Sequence, residues 1–127
     1  MKLHTSGEDY LEAVLVLEGK QDAVRSVDLA IQLGVSKPSV SRAVSLLREG
    51  GFLRVENNLL YLTDAGREVA VKIYERHCFF KSRLVRAGVD ERTAEREACL
   101  LEHDLSDDSF DKLKKAAEEG KDLCYRK

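Results

Sequence analysis

Residues 26–62, SVDLAIQLGVSKPSVSRAVSLLREGGFLRVENNLLYL, constrain the fold more than any other stretch. SVDLAIQL carries a helical apolar period, and the spacing predicts a helix capped by Ser26 and closed at Gly34. A second helix follows at once. Ser36 is a good N-cap, Pro38 is tolerated in a first turn, Val40, Val44 and Leu47 form a buried stripe, and Gly50-Gly51 stop it. The period then changes from 3.6 to 2. Leu53 and Val55 alternate with Arg54 and Glu56, and Asn57-Asn58 can hold the positive φ of a tight turn before a second strand returns.

The flanking sequence is helical. TSGEDYLEAVLVLEG has Thr5 or Ser6 to cap it, acidic residues in its first turn, a stripe through Leu11, Val14 and Leu15, and Gly19 at its end. Thr63 caps a long helix from residue 64 to about 87, with Val69, Ile73, His77, Phe80 and Leu84 as its apolar stripe and Gly88 as its stop. Asp90 opens another helix. Ser106 caps a last one ending at Gly120, and the tail KDLCYRK reads as loose. No internal repeat or low-complexity linker interrupts the chain. The expected fold class is mainly α: residues 1–63 form a winged helix-turn-helix domain and residues 64–127 an all-helical domain.

A helix-turn-helix with a following hairpin is a DNA-reading arrangement. Its second helix enters the major groove N-terminus first, while the hairpin touches the backbone. Ser36, Lys37, Pro38, Ser39, Ser41 and Arg42 occupy that N-terminus, and Arg54 lies on the hairpin. Lys37 can neutralise a phosphate or reach a guanine edge, and Arg42 can fork onto guanine. The serines can bond phosphate or bases, and a methylene of Pro38 can meet a thymine methyl. The competing reading is a plain three-helix core with a polar surface.

Charge distribution separates the halves. The chain as a whole has a formal net charge of −2. Between residues 25 and 54, Arg25, Lys37, Arg42, Arg48 and Arg54 outnumber Asp28 and Glu49. Between 90 and 111 stand nine acidic residues (Asp90, Glu91, Glu95, Glu97, Glu102, Asp104, Asp107, Asp108, Asp111) against Arg92 and Arg96. The first segment suits a polyanion and the second suits cations, unless both are merely solvated faces. No apolar run approaches the roughly 20 residues of a membrane span. MKLHTSGEDY lacks the apolar core of a signal peptide, so a cytoplasmic protein is expected. Cys78, Cys99 and Cys124 are then free thiols or ligands rather than a disulfide framework.

The segment EACLLEHDLS, residues 97–106, places Cys99, Glu102 and His103 at i, i+3 and i+4, one face of a helix. Asp9 and Glu12 stand at i, i+3 on the first helix, and His77 lies on the long one. Each has an ordinary explanation alone: a buried thiol, a core histidine, carboxylates in a first turn. Together, thiolate, carboxylate and imidazole suit a divalent first-row transition metal rather than calcium or magnesium.

From about Thr5 to Leu113 the chain resembles the metal-dependent repressors of the diphtheria-toxin-repressor type, which include iron- and manganese-responsive regulators. The resemblance rests on EDYLEAV, VSKPSVSRAVSLLREGGF, LTDAGREVA, ERH at 75–77 and EACLLEHDLS. It implies a homodimer that binds a palindromic operator when divalent metal is bound, and that represses metal-uptake genes. In such proteins the metal ties the N-terminal helix to the dimerisation helices. It also implies Asp9, Glu12, His77, Cys99, Glu102 and His103 as ligands, with Mn2+ or Fe2+ as the metal and Co2+ or Zn2+ as further candidates. Asp9 resembles the manganese-type pattern, whereas Cys99 resembles the iron type. Iron-type members build an ancillary site from the His77 position, a Glu one turn later and a His one turn before the cysteine. Here those two positions hold Lys81, which cannot ligate while charged, and Glu95, a further ligand candidate. The likeness is to the short, two-domain, manganese-transport-regulator-like form. Two alternatives stand beside it: a winged-helix regulator without metal control, and a metallo-enzyme using Cys99 or a metal-bound water as nucleophile. A non-enzyme is the expected answer, since no catalytic motif with a general base is present.

Overall fold

The structure, a computed structural model, describes residues 5–120. Residues 1–4 and the tail 121–127, which includes Cys124, lie outside that range. The chain divides into two compact units, Met1–Tyr74 and Glu75–Lys127. The architecture is mainly α: a winged helix-turn-helix followed by an all-helical unit. Among the described residues, no helix is long and apolar enough to cross a membrane.

The first unit contains α1 (Thr5–Glu18), α2 (Ser26–Leu33), α3 (Lys37–Glu49), β1 (Leu53–Glu56), β2 (Leu59–Leu62) and the first half of α4 (Asp64–Arg86). Thr5 and Ser6, the expected caps, stand as the first two residues of α1. Leu11 and Val14 on α1, Leu29 on α2 and Val40 on α3 are entirely removed from solvent and form the centre of the core. Leu47, Leu53, Leu60 and Ala70 extend it from α3, the hairpin and α4.

Local chemistry explains the boundaries, with one correction. Ser26 does not cap α2. Arg25 is the N-cap, and the Asp28 carboxylate three residues later accepts a 2.8 Å hydrogen bond from the Arg25 N–H. A carboxylate reaching back to the cap amide satisfies the same orphan donor that a serine cap leaves open. Gly34 closes α2 at φ 66, and Ser36 caps α3 by accepting from the Ser39 N–H at 3.3 Å. β1 and β2 pair antiparallel from Leu53↔Leu62 to Glu56↔Leu59, with Asn57 and Asn58 both left-handed between them. Such a turn matches the twist of the strands it joins. The hairpin is tied in twice more. Leu60 N–H donates to the Val24 carbonyl at 2.8 Å, and Thr63 Oγ1 donates to the Gly51 carbonyl at 2.6 Å. Thr63 Oγ1 also accepts from the Gly66 N–H at 3.1 Å, capping α4.

The second unit holds the remainder of α4 with α5 (Glu91–Leu101) and α6 (Asp107–Glu118). Asp90 caps α5 by accepting from the Arg92 and Thr93 N–H groups, and Ser106 caps α6 by accepting from Ser109. Of the stripe expected on α4, Ile73 and His77 are buried, while Val69, Phe80 and Leu84 are half-buried. Arg76 is buried beside them, an unusual place for a guanidinium. It donates to the carbonyls of Glu102 (3.3 Å) and Leu105 (2.5 Å) and to the Asp107 carboxylate (2.6 Å). Its guanidinium carbon also lies 5.3 Å from the centre of the buried Phe110 ring. One side chain thus holds the corner between α5 and α6.

Gly66 has no room for a side chain, because a Cβ there would collide with the Phe52 carbonyl. Gly66→Ala must push the first turn of α4 off the hairpin. Overpacking of this kind destabilises by about 1–3 kcal/mol, to be read as a lowered midpoint in urea unfolding.

Candidate metal centre

α4 delivers His77 to the end of α5, where Cys99 and Glu102 face it. The ligating atoms of His77, Cys99 and Glu102 lie within 4.8 Å of one another. His77 Nδ1 is 2.9 Å from Glu102 Oε2 and 3.6 Å from Cys99 Sγ. On the other side of the ring, Nε2 is 3.0 Å from Glu95 Oε1. The ordered face is shorter than the i, i+3, i+4 spacing predicts. α5 ends at Leu101, Glu102 is its C-cap in right-handed backbone, and His103 lies in the turn beyond. Cys99 and Glu102 keep their common face, and His103 reaches the same carboxylate from the turn, with Nε2 3.4 Å from Glu102 Oε1.

Glu102 is the unusual group. Its side chain is 0% exposed, and Oε1 has no hydrogen-bond partner. An ionised carboxylate in that state demands a cation. His77 is placed to supply one. Two acceptors on opposite ring nitrogens are both satisfied only by an imidazolium, which donates twice. Cys99 first, then the Glu102 carboxylate and, less, Glu95 push its pKa up to about 11, against the lowering effect of burial. Burial pushes the Glu95 carboxyl up, but Lys81 and His77 together bring it below its ordinary value. The Lys81 ammonium is 3.0 Å from Glu95 Oε2 and 3.7 Å from Glu91 Oε1. The donor set, one thiol, two imidazoles and an orphaned carboxylate oxygen, fits a first-row divalent metal of intermediate softness.

The remaining sequence-derived residues belong to the first unit. Asp9 and Glu12, one turn apart on α1, are partly buried. Ser36, Lys37, Pro38, Ser41 and Arg42 are exposed along the start of α3, and Ser39 is half-buried against its cap. Arg54 is exposed on β1, but it pairs with Glu56 at 2.8 Å and lies over the Tyr61 ring at 4.7 Å. Sequence reasoning missed Arg76. Only its place on the His77 side of α4 could have pointed to it.

Two family models cover nearly the whole chain. Residues 2–59 match the N-terminal DNA-binding domain of the iron-dependent repressors, and residues 63–122 match their metal-binding and dimerisation domain. An uncharacterised HTH-type transcriptional regulator of Methanocaldococcus jannaschii is 36% identical over 118 residues, 91% of this chain and 94% of that protein. The transcriptional regulator MntR of Salmonella typhimurium is 32% identical over 105 residues, 82% of this chain and 67% of that protein. Among solved structures, a manganese-dependent transcriptional repressor in complex with manganese superposes with a TM-score of 0.77 at 30% identity. That match covers 91% of this chain and 53% of the other, so the chain spans about half the length of that repressor.

The doubly protonated His77 sets a sign for metal uptake. Ligation through a ring nitrogen expels a proton, so apparent affinity rises with pH, and the His77 share of that rise continues to about pH 11. In the metal-free protein the charged ring stabilises the fold fully below pH 6.5, and that contribution fades as pH climbs through about 11. Calorimetry in two buffers of different ionisation heat at neutral pH should register at least one proton released per ion. Uptake without proton release would show that His77 stays out of the ligand set.

Proposed function

This chain belongs to the family of iron-dependent repressors, and on that premise we propose that it represses genes for divalent-metal uptake, binding a palindromic operator as a homodimer when Mn2+ or Fe2+ is bound. In this reading residues 1–63 read DNA and residues 64–127 bind metal and dimerise. The observation that carries it is the buried Glu102 carboxylate, with one oxygen on His77 and the other unpartnered and close to His103.

His77, Cys99, Glu102 and His103 would hold the ion, and the resemblance adds Asp9 and Glu12. A bound divalent cation supplies a fixed double charge that neutralises these carboxylates. The protein's own part is to orient the donors. The Cys99 sulfur and the Glu102 carboxylate are set by the last turn of α5, and His77 is set by α4. The donor chemistry is mixed: Cys99 favours iron, cobalt or zinc, and the carboxylates favour manganese.

The exposed start of α3 supports the DNA-reading half. Lys37 stands in the first turn of α3, which contains no acidic residue, and Arg42 is exposed one turn further on. Arg42 is the residue assigned to a base edge and Lys37 to phosphate. Arg54 is assigned to the backbone beside the groove.

Operator and ion are coupled by linkage, so each tightens the other by the same factor, typically about 5–150-fold. Titrating an operator against Mn2+, Fe2+, Co2+ and Zn2+ in turn, under anaerobic conditions, should give tighter binding with the activating ion and loss of it on chelation. Glu102→Ala should bind the operator with the same low affinity whether or not metal is present. Equal affinity of the unaltered protein with and without every ion would leave a winged-helix regulator lacking metal control. Separately, Arg42→Ala should lose about 1–3 kcal/mol of discrimination at one base position. A uniform loss across all sequences would assign Arg42 to phosphate instead.

A further inference from the structure

We infer that Glu95 is a positioning residue for His77 and not a ligand, and that Lys81 is the built-in cation that keeps it so. The inference rests on the metal-dependent reading above and deepens it. An imidazole that ligates through one nitrogen carries its proton on the other, and an acceptor for that proton fixes ring and tautomer. The structure divides the ring accordingly. Nδ1 faces Glu102 Oε2 at 2.9 Å and Cys99 Sγ at 3.6 Å, the side rich in ligand atoms. Nε2 faces Glu95 Oε1 at 3.0 Å.

The second oxygen of Glu95 is occupied as well. Lys81 Nζ lies 3.0 Å from Oε2, and the same ammonium is 3.7 Å from Glu91 Oε1. Helical spacing makes this a ladder. His77 and Lys81 are one turn apart on α4, while Glu91, Glu95 and Cys99 are successive turns of α5. Along it run a ligand thiol, an imidazole, a carboxylate and an ammonium. Glu95 thus has one oxygen for the ring N–H and one for Lys81, and neither is left for an ion. The charge of Glu91 and Glu95 is balanced by a cation that cannot dissociate from the chain. A divalent ion taken up by Glu95 would have to displace it.

The experiment counts ions and measures how tightly they are held. Metal-free protein is dialysed against Mn2+ or Zn2+, the ions per protomer are counted by plasma mass spectrometry, and affinity is read by competition with a chelator. Unaltered protein and Glu95→Gln should bind the same number of ions per protomer within a few-fold of the same affinity, because the amide oxygen still accepts from Nε2–H. Glu95→Ala should also bind that number, but about 10–100-fold more weakly. Lys81→Glu, which replaces the internal cation by a third carboxylate, should take up one ion more than the unaltered protein. In the Zn2+-loaded protein, nitrogen-15 NMR should place the His77 proton on Nε2.

Several outcomes would overturn the inference alone: fewer ions in both Glu95 variants than in the unaltered protein, Glu95→Ala at unaltered affinity, Glu95→Gln as weak as Glu95→Ala, Lys81→Glu binding no more ions than the unaltered protein, or the His77 proton on Nδ1. Failure of the unaltered protein to bind any ion would overturn the metal-dependent reading beneath it, and the two failures are thereby told apart.

Discussion

A carboxylate stripped of water needs positive charge within reach, and the second unit is organised around meeting that need at Glu102. Its backbone carbonyl is taken by Arg76, and its side chain is turned toward two imidazoles. Ala94 and Ala98, both fully buried, keep that face of α5 slim. In the structure that charge is offered by His77, whose two ring nitrogens face Glu102 and Glu95.

Much of the fold was legible because its punctuation is local. Ser36, Thr63, Asp90 and Ser106 each cap the helix that the sequence pattern assigned to them, and Asn57-Asn58 turn the hairpin as their tolerance of positive φ predicts. Ser26 misled for an instructive reason. A serine is a good cap, but Asp28 reaches back to Arg25 and starts α2 one residue earlier. Pattern reading ranks cap types and does not see which of two neighbouring solutions closes the better hydrogen bond.

The candidate site was legible as an inventory and not as an arrangement. Cys99, Glu102 and His77 come together, yet nothing in the spacing said that α5 would stop at Leu101 or that Glu95 would lie against the far nitrogen of His77. Arg76 is the clearest omission. A long charged side chain is ordinarily assigned to the surface, and its acceptors are carbonyls and a carboxylate far downstream in the chain. Contacts of that range leave no trace in periodicity. The resemblance to metal-dependent repressors supplied ligand candidates, and it offered nothing for the residues packed around them.

The tie at Thr63 has a mechanical side. Its hydroxyl grips the end of the turn after α3 and, at the same time, the first amides of α4, while Gly66 presses bare against Phe52. The hairpin therefore has no free pivot at its root. It rides on the opening turn of α4, and that turn cannot roll under the hairpin without taking the hairpin with it.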